Sequence, residues 1–475
     1  MMLFTAIERQ ARINPTRIAL NNGTQQLTYR QLHERIRQLA STLIEQNISR
    51  LVLQLDNCID WALIDLACLK AGIVLIPMPL FFSAEQQEWV LESSGADALI
   101  GPARPGWCPT PIGSLPLYRR TPPQRPALPD GTAKITYTSG TTGQPKGVCL
   151  SLRGMERTSE ALAEQVSSLG LARHLTLLPL ATLLENITGL YVPLMLGTES
   201  VILPLKQVGF TGSSQFNLTA LVQTLTFWHP HSLVLVPELL RLLTAQAQHH
   251  PASINTLRFV AVGGGKVAHG LLLQARQYGL PVYEGYGLSE CGSVVSLNTP
   301  GNDRPGSAGR PLPHCQVSLS EQHEIMVSGT AMLGYLGSQA PAQMIATGDI
   351  GHLDDEGFLY VDGRLKNVQI TAFGRNFSPE WVETEATLYP AIARLVIFGD
   401  GLPVNVALIH PFPGRERELA SQIAQLNQHL PDYARIHRII ITNLMDPALI
   451  TSNGRPRRAD IYQQYQQQIL QAVQE

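Results

Sequence analysis

The chain has 475 residues, room for one large domain and a smaller companion, with 35 Lys and Arg against 37 Asp and Glu for a net charge of -2. That balance excludes an electrostatic grip on nucleic acid or anionic lipid as the main activity. With 44% hydrophobic and 15% charged residues, a disordered or fibrous chain is excluded too. Cys58, Cys68, Cys108, Cys149, Cys291 and Cys315 form no CxxC pair, which argues against a zinc or disulfide framework and for a reducing compartment. The most apolar stretch, residues 51–82, is broken by Asp56, Asp60, Asp65 and Lys70, short of the roughly 18 uncharged residues of a membrane span. The first residues bring Glu8 and Arg9 forward without an apolar signal core, so the expectation is a cytoplasmic protein with no integral membrane association.

Taken in order, Leu32, Ile36, Leu39 and Leu43 recur at helical spacing behind Thr28, which stands where an N-cap would. LVLQL reads as a strand, DWALIDLACLKAG as a helix stopped by Gly72, and GIVLIPM as the next strand: the alternation of a parallel sheet covered by helices. The Pro-rich stretch 102–130 reads as a surface connection without a firm element. Strand-like runs return at LTLLPL, SVILPL, SLVLVP and RFVAVGGG, with helical segments such as 239–247 between them. Over 324–363 the runs EIMVSG and GFLYVDG alternate like hairpins of an antiparallel unit. After Arg364 the chain restarts with VQITAFG, a helix from Ser378, ARLVIFG, VNVALIH, a long helix from Arg415 and a polar-faced terminal helix. The predicted fold is α/β: a large N-terminal domain (1–363) with helix-covered parallel sheets and a small antiparallel unit, then a small α+β C-terminal domain (364–475). No internal repeat is present.

The strongest chemical signal is YTSGTTGQPKGV, residues 137–148. A β-like run opens into hydroxyl and glycine residues (Thr138, Ser139, Gly140, Thr141, Thr142, Gly143) and closes on Lys146. Glycines let backbone N–H groups approach phosphate oxygens, hydroxyls add donors and the lysine supplies a point charge. The Walker spacing is absent.

This loop resembles the phosphate-binding signature of the adenylate-forming superfamily of acyl-CoA synthetases, peptide-synthetase adenylation domains and luciferases. Other segments match in order across nearly the whole chain. VGGGKV (262–267) and YEGYGLSE (283–290) resemble the family's adenine-binding strand and turn. The resemblance implies that Gly264, Gly285, Tyr286 and Gly287 frame the nucleotide, and that Glu290 is catalytic and associates with Mg2+. ATGDIGHLDDEGFLYVDGR (346–364) resembles the ribose-binding segment, implying Asp349 on the ribose hydroxyls with Arg364 assisting. GRLKNVQITAFGRNFSPEWVE (363–383) resembles the start of the mobile domain, with Lys366 at the hinge. The chemistry suits these residue types. A carboxylate is a poor electrophile, so activation as acyl-AMP means holding two anions in line while cationic donors neutralise developing charge. A thiol then attacks the mixed anhydride and AMP leaves.

One departure concerns the family's C-terminal Gly-Lys pair, whose lysine bridges acid and nucleotide. Here the segment reads ITSNGRPRR, with Arg455 after Gly454, and no lysine follows Lys366. Six Lys against 29 Arg indicate a general drift in which Arg455 keeps the charge and the role. Arginine and lysine are not interchangeable at precise sites, however. The alternative is therefore a degenerate homologue that binds nucleotide or acyl-adenylate with weak or no adenylation.

On the acid side, LLPLATLLENITGL (177–190) is similar to the LPLAHxxE form of long-chain fatty acyl synthetases, with Thr182 in place of His and Glu185 retained. Thr182, Leu183, Val236 and Gly263 are the expected acyl-pocket residues. No acidic anchor for an amino group stands out, so a fatty or aryl acid is expected. The acceptor thiol is that of CoA or of a phosphopantetheinyl acyl carrier protein. Arg415, Arg417, Arg435, Arg438, Arg455, Arg457 and Arg458 supply charge for either. His229, His231, His249 and His250 lack a third ligand at useful spacing, which disfavours a metal site there.

Overall fold

The computed structural model describes residues 2–138, 145–211, 216–249, 251–329, 332–338, 343–372, 375–451 and 454–474. Local signals act where the side chains dictate. Thr28 caps the helix Tyr29–Glu45, its hydroxyl accepting from the Gln31 N–H while the Gln31 side chain returns to the Thr28 N–H. Gly72 ends Ile59–Ala71 at φ 72°, a left-handed turn that costs glycine nothing. The continuous apolar runs are buried on both faces: Leu51, Val52 and Leu53 are fully buried in the strand Arg50–Leu53.

Two large sheets result among the described residues. In the first, the parallel strands Ala98–Ile100, Arg50–Leu53, Val74–Pro77 and Thr132–Thr138 are flanked by antiparallel edges, Lys146–Ser151 and Met332–Tyr335 beyond one side. At the other edge the sheet departs from the reading of 102–130 as a structureless connection. Leu117–Arg119 pairs antiparallel with Ala98–Ile100, and Cys108–Pro109 pairs with it in turn. Prolines fit such outermost strands, where missing donors face away from a ladder. In the second sheet, Val282–Tyr286, Phe259–Val262, Ser232–Leu235, Arg173–Thr176, Glu199–Ile202 and Ile18–Asn21 run parallel, with antiparallel additions at both ends. The sheets are thus mixed rather than purely parallel.

A four-stranded antiparallel sheet, Gln316–Leu319, Glu324–Ser328, Met344–Leu353 and Leu359–Arg364, follows as the alternating runs predict. Beyond it, Ile392–Phe398, Asn405–Pro411 and Ile436–Ile441 form a three-stranded sheet. The period of two sorts its residues. Leu395, Ile397, Ala407 and Ile409 pack with Val382, Ala386, Ile423 and Leu426 from the helices Pro379–Ala386 and Leu419–His429. Val396, Phe398, Val406 and Leu408 pack on the other face with Ile461, Tyr465 and Ile469 of Arg458–Gln474, the predicted terminal helix. The helix expected from Arg415 begins later, because Glu416–Glu418 forms a separate 3-10 turn. Among the described residues no helix is long and apolar enough to cross a membrane.

Candidate active site

Three adjacent parallel strands of the second sheet end together. Leu235 aligns with Val262, and Val262 with Glu284, so Val236, Gly263, Gly264 and Gly285 meet at the carboxyl edge, where open α/β sheets bind ligands. A Cβ on Gly263 would lie 3.5 Å from the Gly285 carbonyl oxygen, and one on Gly264 would lie 3.7 Å from Val236 Cγ1. Gly264 also takes φ 77°. The glycines therefore keep this edge low and let backbone face the cleft. At Gly287 the demand is stricter: a Cβ would sit 1.7 Å from the Ser293 carbonyl oxygen.

Asp349 and Arg364 stand opposite each other across the antiparallel pair Met344–Leu353 and Leu359–Arg364. Arg364 Nε lies 2.9 Å from Asp349 Oδ1, and the Tyr286 hydroxyl donates to Asp349 Oδ2 at 2.7 Å. Thus the YEGYG and TGD segments meet in one side-chain network. Burial raises Asp349 above the usual carboxylate range, opposed by Arg364, the Tyr286 hydrogen bond and Arg455. Burial likewise pushes the Tyr286 phenol up, with the Asp349 charge adding to it.

Arg455 reaches this network from the turn that precedes the terminal helix of the small unit. Its Nη2 donates to the Gly264 carbonyl at 2.9 Å. Crowding by protein lowers its pKa, as does Arg364, while Asp349 and Glu380 act in the opposite direction; a guanidinium remains charged throughout. Its turn is braced: Gly454 takes φ 75°, its N–H donates to the Thr451 carbonyl at 2.9 Å, and Arg394 Nη1 donates to its own carbonyl at 2.8 Å. Leu388 of the small unit packs against Gly270, where a Cβ would come within 2.9 Å.

Thr138 and Lys146 face each other as the last pair of their two strands. Ser139, Gly140, Thr141, Thr142 and Gly143 lie outside the described residues. Lys146 is exposed, its Nζ 5.8 Å from the centre of the Tyr335 ring. The Tyr335 hydroxyl donates to Glu290 Oε1 at 3.1 Å, so Tyr335 links the loop lysine to the carboxylate singled out for magnesium. Among the described residues no cluster of three or more His, Cys, Asp or Glu side chains is placed to hold a metal. Glu290, joined through Tyr335 to Lys146, instead fits Mg2+, which is commonly held by one or two carboxylates plus substrate phosphates. Lys366 is exposed in the 3-10 turn Leu365–Asn367, directly after Arg364.

Of the expected acyl-pocket residues, Val236 and Gly263 join Gly264 and Gly285 at the carboxyl edge of the sheet, whereas Thr182 and Leu183 serve their own segment. The Thr182 hydroxyl donates to the Pro179 carbonyl at 2.7 Å, and Leu183 is buried in the main core. Glu185 is fully buried, accepting from the Leu177 N–H at 3.2 Å beside His174. One expectation is corrected outright. Arg458 is no surface charge for an acceptor: it holds both oxygens of Glu383, at 2.7 and 2.8 Å, inside the small unit. Arg435 and Arg438 likewise donate to backbone carbonyls, of Leu430 and of Ala472 and His437. His229 takes φ 45° as a helix C-cap and His231 Nδ1 accepts from the Ala172 N–H, both structural tasks.

Tyr335, Arg394 and Glu284 were not singled out from the sequence. Glu284 lies inside YEGYG, accepts from the Gly306 N–H at 2.9 Å, and is raised to about 7, chiefly by burial. Its signal was present, a carboxylate in a strand otherwise destined for burial. Tyr335 and Arg394 carry no local signal, since their partners are distant in sequence.

Comparison with known proteins gives the family and the fold. The family profile of the AMP-binding enzymes matches residues 7–336, and that of the AMP-binding enzyme C-terminal domain matches 367–475. A 2-succinylbenzoate–CoA ligase of Bacillus velezensis is 28% identical over 437 residues, covering 85% of this chain and 86% of its own. A feruloyl-CoA synthase of an Amycolatopsis species is 27% identical over 463 residues, covering 90% and 92%. Among solved structures, an anthranilate CoA ligase in complex with anthranoyl-AMP superposes with a TM-score of 0.80 at 18% identity, covering 98% of this chain and 97% of that one. An o-succinylbenzoate CoA synthetase of Bacillus subtilis, in complex with its acyl-adenylate intermediate, gives 0.75 at 22% identity, covering 96% and 97%. At those identities the structures establish the fold; the profiles, which span most of the chain, establish kinship. The chain belongs to the AMP-binding enzyme family.

Proposed function

We propose that this protein is an ATP-dependent acid–CoA ligase acting on a fatty or aryl carboxylic acid in the cytoplasm. The observation that carries the reading is the convergence of Arg455, from the C-terminal unit, on Gly264 at the edge of the large sheet, close to the Asp349–Arg364 pair. In the first half-reaction an oxygen of the acid attacks the α-phosphorus of ATP and pyrophosphate leaves, giving acyl-AMP. In the second, the thiol sulfur attacks the acyl carbon, the carbon–oxygen bond to AMP breaks, and the thiol proton goes to solvent.

Each residue has a task in this scheme. Asp349 accepts from the ribose hydroxyls, and Arg364 and Tyr286 hold its carboxylate in place. The loop from Thr138 to Lys146 receives the β- and γ-phosphates, with Lys146 as the cation. Glu290 would hold the Mg2+ that accompanies ATP, whose charge would offset that of the phosphates. Arg455 directs a planar fork, one of whose five donors is on Gly264, between the acid and the α-phosphate. The 1–363 unit would hold both substrates, and the 364–475 unit would turn about Lys366 between the half-reactions.

Coenzyme A is the favoured acceptor over an acyl carrier protein. The relatives are named as CoA ligases, and Arg458, Arg435 and Arg438 are occupied within the small unit rather than free to meet an acidic helix. The six cysteines are all free, which suits a reducing cytosol. The degenerate-homologue alternative has no feature on its side, because Arg455 reaches the nucleotide edge with its charge intact. The test is pyrophosphate release from the purified protein with ATP, Mg2+ and a panel of octanoate, palmitate, benzoate, ferulate and 2-succinylbenzoate. Acid-dependent release is expected. Nucleotide binding without release on any acid would remove the enzyme reading.

A further inference from the structure

Away from the nucleotide edge, the first sheet contains a fully buried lysine. Lys134 Nζ lies 2.5 Å from Asp65 Oδ1 and 2.8 Å from the Tyr191 hydroxyl, and it also donates to Asn186 Oδ1. Neither Lys134 nor Asp65 has any exposed side-chain surface. The Tyr191 hydroxyl donates onward to Asp65 Oδ2 at 2.6 Å, and Asn186 Nδ2 donates to the same oxygen at 3.4 Å. Burial lowers the Lys134 pKa while Asp65 raises it, so the ion pair depends on its full set of partners.

The elements that this cluster ties together give it meaning. Lys134 lies on Thr132–Thr138, the strand that runs into the phosphate-binding signature. Asn186 and Tyr191 are the first and last residues of a π-helical stretch, Asn186–Tyr191, that interrupts the helical run Leu183–Leu196. That run begins directly after Thr182, within the segment expected to meet the acid. A π-turn is strained relative to an α-helix and persists where its surroundings hold it. Here it is held at both ends by the Lys134 cluster. In the middle, the Gly189 carbonyl accepts from the Ser200 hydroxyl at 2.6 Å and the Thr176 hydroxyl at 3.4 Å. A side chain at Gly189 would come within 2.5 Å of Glu185 Oε1 and would displace that buried carboxylate.

We infer that Lys134, with Asp65, Asn186 and Tyr191, is a positioning cluster that fixes the π-turn and thereby holds the segment that follows Thr182, expected from its sequence to meet the acid, against the strand that carries Lys134. Lys134 touches no substrate; it acts through the turn. The inference rests on the proposed acid–CoA ligase reading for its kinetic consequence, but its structural consequence stands apart from it.

Two variants test it. Tyr191→Phe removes the hydroxyl that ties the turn to the ion pair and leaves Lys134 and Asp65 together. Lys134→Met combined with Asp65→Asn removes both charges without stranding either. In both, amide hydrogen exchange should accelerate across 183–191 and stay unchanged in the small C-terminal sheet. With the best acid of the panel, the KM for the acid should rise about tenfold, the size of one lost buried hydrogen bond, while the KM for ATP holds. Unchanged exchange across 183–191 in Tyr191→Phe would overturn the inference whether or not any acid is turned over. Equal rises in both KM values, or a fall in kcat alone, would overturn it as well, by showing no selective link to the acid. If no acid supports turnover, the exchange measurement still decides this point and only the ligase reading fails.

Discussion

Replacing Asp349 with asparagine separates what the site does from what the fold needs. Burial raises the Asp349 pKa in the folded chain despite Arg364, Tyr286 and Arg455. A carboxylate whose folded pKa exceeds its unfolded value stabilises the fold at low pH, and that contribution is lost as pH rises through the folded value. At neutral pH the ionised group is therefore a net cost, and the isosteric amide removes it. The melting temperature of Asp349→Asn should change little, because the amide relieves that cost but turns its NH2 toward a donor. Nucleotide affinity should fall. Both carboxylate oxygens are already engaged, by Arg364 at 2.9 Å and Tyr286 at 2.7 Å, and each keeps a lone pair for a ribose hydroxyl. Asparagine offers one acceptor oxygen, and its NH2 meets a donor whichever way it turns. Losing one charge-assisted hydrogen bond costs about 1.5–3 kcal/mol, roughly a ten- to hundredfold weaker Kd for ATP. Calorimetric titration with ATP and AMP, beside thermal melts, reads both effects. A variant that binds both nucleotides normally yet melts well below wild type would refute the reasoning, since Asp349 would then be structural.

Other expectations follow from the same geometry. Gly287→Ala forces a Cβ against the Ser293 backbone, which cannot move aside as a side chain can, so a loss of about 3 kcal/mol is expected in chemical denaturation. Glu284 is raised from 4.5 to about 7, so its stabilising contribution is present at low pH and is lost as pH climbs through about 7. Glu284→Gln should gain stability relative to wild type between those values and hold a constant advantage above them, as denaturation midpoints across pH would reveal. Arg458→Ala strands the buried Glu383 carboxylate, already raised to about 6, and should cost about 3–5 kcal/mol without changing the KM for ATP in whatever fraction stays folded.

The residues legible in the sequence were those whose role is local or belongs to an ordered motif. Thr28 and Gly72 act within one turn of their own helices, and the alternating runs over 324–363 announce an antiparallel sheet. Asp349, Arg364 and Tyr286 are recognisable from their motifs, although nothing in the string states that the Tyr286 hydroxyl donates a hydrogen bond to Asp349. Arg455 was identified by its place after Gly454, but its bond to the Gly264 carbonyl joins residues 191 apart. Lys134 and Asp65, 69 residues apart, look like solvated charges until the fold buries them together. Arg458 misled for the same reason: a basic residue in a run of three reads as surface, while its partner Glu383 lies 75 residues away. The strand Leu117–Arg119 was hidden because three residues among prolines carry too little pattern, and only pairing with Ala98–Ile100 defines it.

The central claim is that Arg455 serves the adenylation half of an acid–CoA ligase, and a half-reaction split tests it most directly. Arg455→Ala should lose pyrophosphate release from ATP and the acid by about a hundredfold or more, the scale of one removed transition-state donor. The same variant, given preformed acyl-AMP and CoA, should still form thioester near the wild-type rate, and Arg455→Lys should restore much of the pyrophosphate release. Equal loss in both half-reactions, or no loss in the first, would contradict the account.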